Sequence, residues 1–168
     1  MGTVKWGILG AAKIAKEQVI PAMQKSKKTE LYAIASRDIS KAEDFCHKFS
    51  ITKAYDDYNK LISDPNIDAV YIPLPNHLHV PFSINALKAG KHVLCEKPIS
   101  ITSDEILELI KVQNETKKIV SEAFMVRFHP QWIQTKKLIQ EGEIGKLNAI
   151  QGLFNYFNTD PNNIRNDV

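Results

Sequence analysis

The chain has 168 residues, 43% of them hydrophobic, which is enough for one cored domain, or one domain and the start of another, and too few for an ordinary two-domain enzyme. Disorder is excluded as the default state by the same apolar content. Twenty-two basic against 19 acidic residues give a net charge of +3, and the densest basic cluster is only Lys25, Lys27 and Lys28, a poor nucleic-acid footprint that reads as a solvated loop or a weak anion contact.

Neither a basic segment leading into a signal core nor a run of about 18 apolar residues is found, so export and membrane insertion are not expected. Lys5 to Leu9 is the first predicted strand. Helical spacing runs from Ile14 to Gln24, a strand from Leu31 to Ser36, a helix from Ser40 to Phe49, and a weaker strand lies near Lys53 and Ala54. Then come a helix from Asp57 to Ile62, a strand from Ala69 to Ile72, a helix from Val80 to Ala89 and a strand from His92 to Cys95. Thr102 and Glu105 form a capping box for a helix from Ser103 to Lys117, and Ile119 to Ala123 is the last strand of the series. Short β-branched runs alternating with longer amphipathic segments are the mark of βαβ units. The fold class is therefore α/β, a Rossmann-type doubly wound parallel sheet.

Past Glu122 the pattern changes. A helix is predicted from Pro130 to Gln140, closed by Glu141 and Gly142, and Leu147 to Phe157 reads as one long apolar strand without a partner in the chain. Residues 1–123 are thus assigned to the α/β domain, and 124–168 to a linking helix and the first strand of an α+β C-terminal domain. Leu147, Ile150, Leu153, Phe154, Tyr156 and Phe157 would leave an apolar edge prone to self-association. Cys46 and Cys95 are far apart and form no ligand spacing with the five histidines, so neither a disulfide nor a metal site is expected, and a reducing, cytoplasmic setting fits.

The first strand enters Gly10-Ala11-Ala12-Lys13-Ile14-Ala15 and a helix, the context in which a dinucleotide pyrophosphate sits on a helix N-terminus. Such a turn needs Gly for tightness and tiny residues for phosphate approach and helix packing, here Gly10, Ala12 and Ala15. The pattern is G-x-A-x-x-A, and alanine does not take positive φ cheaply, so the alternative is a small-residue turn that only packs a helix on a sheet. Some 20 residues further on, where an acid would select the ribose hydroxyl of NAD, stands Ser36 followed by Arg37. A guanidinium there can fork onto a 2′-phosphate, which predicts NADP over NAD; a plain surface arginine is the other reading. Asp38 is either a ribose ligand or the cap of the next helix.

Two further segments end neighbouring strands: Pro73-Leu74-Pro75-Asn76-His77-Leu78-His79, and Cys95-Glu96-Lys97-Pro98. Together with G-I-L-G-A-A-K-I-A, A-S-R-D and M-V-R-F-H-P-Q, and with Glu96-Lys97-Pro98 the most specific, they make the chain resemble the Gfo/Idh/MocA oxidoreductases over nearly its whole length. Arg127-Phe128-His129-Pro130 and Asp160-Pro161-Asn162-Asn163-Ile164-Arg165 are similar to the dihydrodiol and D-xylose dehydrogenase branch. The resemblance implies hydride transfer between a nicotinamide cofactor and a sugar, polyol or cyclic diol. It implies Lys97 as the catalytic lysine, Glu96 orienting it or the cofactor, and Pro98 fixing the backbone. Lys97 would move the proton that accompanies hydride, helped by a pKa that burial and the oxidised nicotinamide both lower.

Cofactor contacts are then expected from Gly10, Ala11, Ala12, Lys13, Ile14, Ser36, Arg37, Leu74, Asn76, His79, Glu96, Lys97, Pro98 and Arg127. His79 has packing against the next helix as its alternative, and Arg127 a surface salt bridge. By the same resemblance the substrate is carbohydrate-like, the substrate-binding half lies beyond Val168, and whole family members are usually homo-oligomers. A regulatory module that binds dinucleotide without hydride transfer is the first rival, and an intact Glu96-Lys97-Pro98 argues against it. A methyltransferase would need an acid where Ser36 stands.

Overall fold

The computed structural model describes residues 2–155, 157 and 159, and the chain divides into two units after Phe124. In the first unit six parallel strands form one sheet: β1 (Val4–Leu9), β2 (Thr29–Ala35), β3 (Lys53–Tyr55), β4 (Ala69–Ile72), β5 (His92–Cys95) and β6 (Val120–Glu122). Their order is β3-β2-β1-β4-β5-β6, so the direction of winding reverses between β1 and β4. Ile8 is registered against Ile34 on one side and Tyr71 on the other.

A central parallel strand is covered on both faces, and all four residues of β4 are accordingly buried. Successive side chains go to opposite faces. Ile8, Ile34 and Tyr71 join Ile20, Phe45 and Phe49 in one core, while Leu9, Ala35 and Ile72 join Leu61, Leu87 and Leu109 in the other. The helices are α1 (Ile20–Gln24), α2 (Ile39–Phe49), α3 (Tyr58–Ile62), α4 (His79–Lys88), α5 (Ser103–Thr116) and, in the second unit, α6 (Pro130–Gln140). Asp38, Asp57 and Thr102 cap α2, α3 and α5, and the capping box with Glu105 is formed.

The structure corrects two elements. The helix expected over Ile14 to Gln24 opens as a π-helical turn, Ala15–Val19, before α1 begins, with the Ile20 N–H reaching back to the Ala15 carbonyl. Pro21 is the physical reason: it has no N–H to give and its ring would strike the carbonyl four residues earlier, so the ladder widens ahead of it. The strand expected over Leu147 to Phe157 is not formed: residues 147–155 carry no strand, while Tyr156 and the Asp160 to Arg165 segment lie outside the described residues. Alternating apolar residues mark a surface that wants a partner strand, but ladder hydrogen bonds need that strand to be present. Ile150 and Leu153 are accordingly 82% and 89% exposed.

A polar cluster links β3 to the turns that lead into β4 and β5. The Asp64 carboxylate, buried, accepts from the Tyr55 hydroxyl, from Lys53 Nζ at 3.2 Å and from the Asn66 side-chain amide at 2.9 Å. Buried Lys91 donates from Nζ to the carbonyls of Asp64 and Ile67, each at 2.7 Å. Burial alone would push the Asp64 carboxyl up, but the hydrogen bonds from Tyr55, Asn66 and Lys53 outweigh it and hold the group well below the usual carboxylate range. A pKa lower in the folded state gives stability that is complete above the unfolded value of about 3.9 and is lost as pH falls toward the folded value. Thermal unfolding followed between about pH 5 and pH 2 is thus expected to show a falling midpoint in the parent and a shallower fall in Asp64→Asn, which starts roughly 1–3 kcal/mol less stable.

Candidate functional site

The reversal of winding between β1 and β4 leaves a crevice at the carboxyl ends of the strands, the place where open α/β sheets bind ligands. Gly10 ends β1 with φ +109° and donates its N–H to the Ala35 carbonyl at 2.8 Å. A Cβ built on Gly10 would come 3.0 Å from Leu74 Cδ2, so glycine serves here both for its backbone angle and for the close approach of the β4 loop. Neither Ala12 nor Ala15 has positive φ, so the alanines of G-x-A-x-x-A are unstrained. Ala15 is fully buried, which lets the helix lie tightly on the sheet, while Ala11, Ala12 and Ile14 are half-buried and Lys13 is exposed. The first N–H groups of this helical run have no acceptor within it and suit an anion such as a pyrophosphate.

After β2, Ser36 is buried, with its N–H donated to the Tyr55 carbonyl and its hydroxyl accepting from the Asp38 N–H at 3.3 Å. Arg37 is exposed and forms no ion pair among the described residues. Asp38 is occupied as the cap of α2, accepting from the Ser40 hydroxyl at 2.6 Å and the Ser40 N–H at 3.1 Å, bonds that hold its carboxyl below the ordinary range. The cap therefore prevails over the ribose-ligand alternative for Asp38. A shallow pocket of about 200 Å³ beside the turn is lined by Ala11, Lys16, Lys41, Asp44, Phe45 and Lys48. Sequence reading missed these three lysines; the available signal was Lys41 and Lys48, two turns apart on one face of α2.

Pro73 and Leu74 are buried after β4, whereas Asn76 and His77 are exposed on the 3₁₀ turn Asn76–Leu78. His79 has surroundings that favour the packing one of its two readings. It is 1% exposed, with Nδ1 2.7 Å from the Pro98 carbonyl and Nε2 2.7 Å from the Leu74 carbonyl. With both nitrogens engaged, the ring braces the two loops against each other and has none left for a ligand.

Beyond β5, Glu96 is half-buried, and its N–H continues the sheet by donating to the Ile72 carbonyl at 3.1 Å. Its Oε1 accepts from the Tyr71 hydroxyl at 2.7 Å and its Oε2 from the Lys97 N–H at 3.4 Å. Lys97 and Pro98 are joined by a cis peptide, and both are exposed. The burial expected to act on Lys97 is therefore not supplied by this unit, because the residue stands past the last ladder bond of β5, on the open rim. Arg127 belongs to the second unit, where it is exposed on the short turn Met125–Phe128 and lines a pocket of about 480 Å³ with Trp132, Ile133, Lys136, Lys137 and Gln140.

In the first unit the structure thus gathers a glycine turn at a helix start, a free arginine after β2 and a lysine after β5 around one sheet edge. Those residues fit a nicotinamide dinucleotide: a cradle at Gly10 that a Cβ would obstruct, an unpaired guanidinium, and an exposed amine across the switch point. Among the described residues no group of three His, Cys, Asp or Glu side chains could hold a metal ion, and no helix is long and apolar enough to cross a membrane.

Comparison with known proteins points the same way. Residues 4–124 match the model of the Gfo/Idh/MocA oxidoreductase family, described as having an NAD-binding Rossmann fold. The NADP(+)-dependent D-xylose 1-dehydrogenase 2 of Haloferax volcanii is 40% identical over 90% of this chain and 46% of its own length. The mouse (Mus musculus) trans-1,2-dihydrobenzene-1,2-diol dehydrogenase is 33% identical over 91% of this chain and 46% of its own length. A 3-ketoreductase from Actinomadura kijaniata, crystallised with NADP, superposes with a TM-score of 0.81 at 36% identity, over 86% of this chain and 46% of that one. The chain spans about half the length of the curated relatives it matches. With that match over residues 4–124 and relatives more than 30% identical over nine-tenths of its length, this chain belongs to the Gfo/Idh/MocA family of oxidoreductases.

Proposed function

We propose that the chain is the cofactor-binding part of an NADP-dependent oxidoreductase that interconverts CH–OH and C=O in a sugar, polyol or cyclic diol. The observation that carries this reading is the switch-point crevice, flanked by the Gly10 turn on one side and by Lys97 on the other. The nicotinamide cofactor, when bound, supplies the hydride chemistry. Gly10, Ala11, Ala12, Lys13 and Ile14 would hold its pyrophosphate through backbone N–H groups and the helix dipole. Arg37 would pair with the 2′-phosphate, with Ser36 shaping the loop beneath it and Lys41 adding charge nearby. Leu74 and Asn76 would border the nicotinamide side.

Lys97 is the catalytic residue in this reading. An alcohol that loses hydride must also lose its hydroxyl proton, and an amine on the crevice rim can accept that proton or return it in the reverse direction. Glu96 and Pro98 set the backbone from which the amine extends. Substrate contacts would come from the family's C-terminal half, which also supports homo-oligomers, and two free cysteines suit a reducing cytoplasm. The NADP-linked xylose dehydrogenase and the NADP-bound ketoreductase among the relatives favour NADP, with NAD as a weaker ligand.

A paired titration with NADPH and NADH, followed by nicotinamide fluorescence, tests the reading. Tighter binding of NADPH is expected, and Arg37→Ala is expected to weaken NADPH roughly ten- to hundred-fold, the size of a lost charge-assisted hydrogen bond, while leaving NADH unchanged. Equal affinity of the parent for both, or of Arg37→Ala and the parent for NADPH, would refute the assignment of Arg37. Binding of neither would refute the cofactor reading.

A further inference from the structure

The Tyr71 hydroxyl sits at the innermost part of the sheet, on a residue with no exposed surface, and the mechanism above does not use it. Its ring packs with Ile8, Ile20, Ile34 and Phe45. Burying a hydroxyl there costs free energy unless it is hydrogen-bonded, and phenylalanine would fill the same space without that cost. The bond it makes is to Glu96 Oε1 at 2.7 Å, 25 residues away in sequence, and Glu96 immediately precedes Lys97. Burial, and then the Glu96 carboxylate, push the phenol well above its ordinary range, so it stays protonated and donates to the carboxylate. The second carboxylate oxygen is held by the Lys97 backbone N–H at 3.4 Å. As a result Glu96 makes no ion pair with the Lys97 ammonium, although the two residues are neighbours.

The other groups around this rim are also occupied or uncharged. Glu122 Oε1 accepts from the Ile99 N–H at 3.0 Å, His79 braces the Pro98 carbonyl at 2.7 Å, and burial pushes the Cys95 thiol up to about 12. Glu96 is the carboxylate next to Lys97, and Tyr71 is the group that turns it into the sheet.

We propose that Tyr71 is a positioning residue for Lys97, holding the Glu96 carboxylate off the lysine so that its amine stays free to exchange a proton with substrate. The inference rests on Lys97 being the proton-transferring group. Removing the hydroxyl releases the carboxylate to pair with the ammonium, which withdraws free amine at neutral pH.

The test is trace labelling of lysines with acetic anhydride across roughly pH 7 to 10, reading the Lys97 peptide by mass spectrometry. In Tyr71→Phe, Lys97 is expected to label about two- to five-fold more slowly at the neutral end, the range an exposed ion pair supplies, with its profile displaced to higher pH. Adding Glu96→Gln to Tyr71→Phe is expected to restore the parent rate, which a general loosening of the sheet would not do. Glu96→Gln alone keeps an acceptor for Tyr71 and is expected to leave Lys97 labelling as in the parent. Unchanged labelling in Tyr71→Phe, a double variant as slow as the single, or several-fold faster labelling in Glu96→Gln alone would each overturn the proposal. Faster labelling in that last arm overturns the proposal even where Tyr71→Phe does not fold. NADPH titration of the same samples separates the two readings: a parent that fails to bind refutes the cofactor function, while a binding parent with unaltered Lys97 labelling in Tyr71→Phe refutes the role of Tyr71.

Discussion

Lys97→Met is expected to slow hydride transfer by on the order of 10²- to 10⁴-fold, the contribution of a positioned general acid or base. Methionine keeps the length of the side chain and removes the amine. Because Lys97 stands exposed beyond β5, outside both cores, the change leaves the sheet intact. The cofactor is held mainly by the Gly10 turn and Arg37 in this reading, so NADPH affinity should change by only a few-fold. The measurement is single-turnover oxidation of NADPH, with a sugar or diol-derived ketone, in a polypeptide that carries the family's substrate-binding half. Loss of rate with binding retained assigns Lys97 to chemistry. Equal loss of both would make it a binding residue, and a rate within about threefold of the parent would remove it from the mechanism.

The second large effect is expected at Gly10, where Gly10→Ala acts on fold and ligand together. At φ +109° an alanine carries roughly 1–3 kcal/mol of backbone strain. Its Cβ also meets Leu74 Cδ2 at 3.0 Å, and Leu74 is buried, so the crowding adds about 1–3 kcal/mol more. Against a domain stability of about 5–15 kcal/mol, the sum is a large fraction. Denaturant titration should show a lower midpoint with the slope preserved, and the variant should bind NADPH at least about ten-fold more weakly, because the turn can relax only by moving into the crevice. A variant as stable as the parent and binding as well would mean that the turn adapts without cost. The pyrophosphate assignment would then lose its geometric basis.

What could be read beforehand divides along a physical line. The strand β4 was legible to the residue because a parallel strand covered on both faces is written as an unbroken apolar run, Ala69 to Ile72. The caps at Thr102 and, as one of its two readings, Asp38 were legible because both act on backbone groups two or three residues away. The π-helical turn was missed even though its cause, Pro21, was in view, since apolar spacing reports a face and not the hydrogen-bond ladder beneath it. His79 stayed open between two readings for a different reason: its partners, the Leu74 and Pro98 carbonyls, meet only once two strands have paired. The link between Tyr71 and Glu96 is of the same kind. Leu147 to Phe157 marks the limit of patterning, which encodes a wish to pair but not the presence of a partner.

The strand order has a consequence for the order of assembly. β1, β2 and β3 are joined by neighbours close in sequence, and so are β4, β5 and β6, while the seam between the two triplets requires β4 to find β1 across the intervening half of the domain. Closing so long a loop is entropically slower than zipping either triplet, which places this seam late in folding. On a ribosome the first triplet emerges with one flank of β1 bare, an unpaired edge until Ile72 is clear of the exit tunnel. The crevice lies on that seam, so a ligand that settles there acts as a clasp on the last join, slowing its reopening in proportion to occupancy.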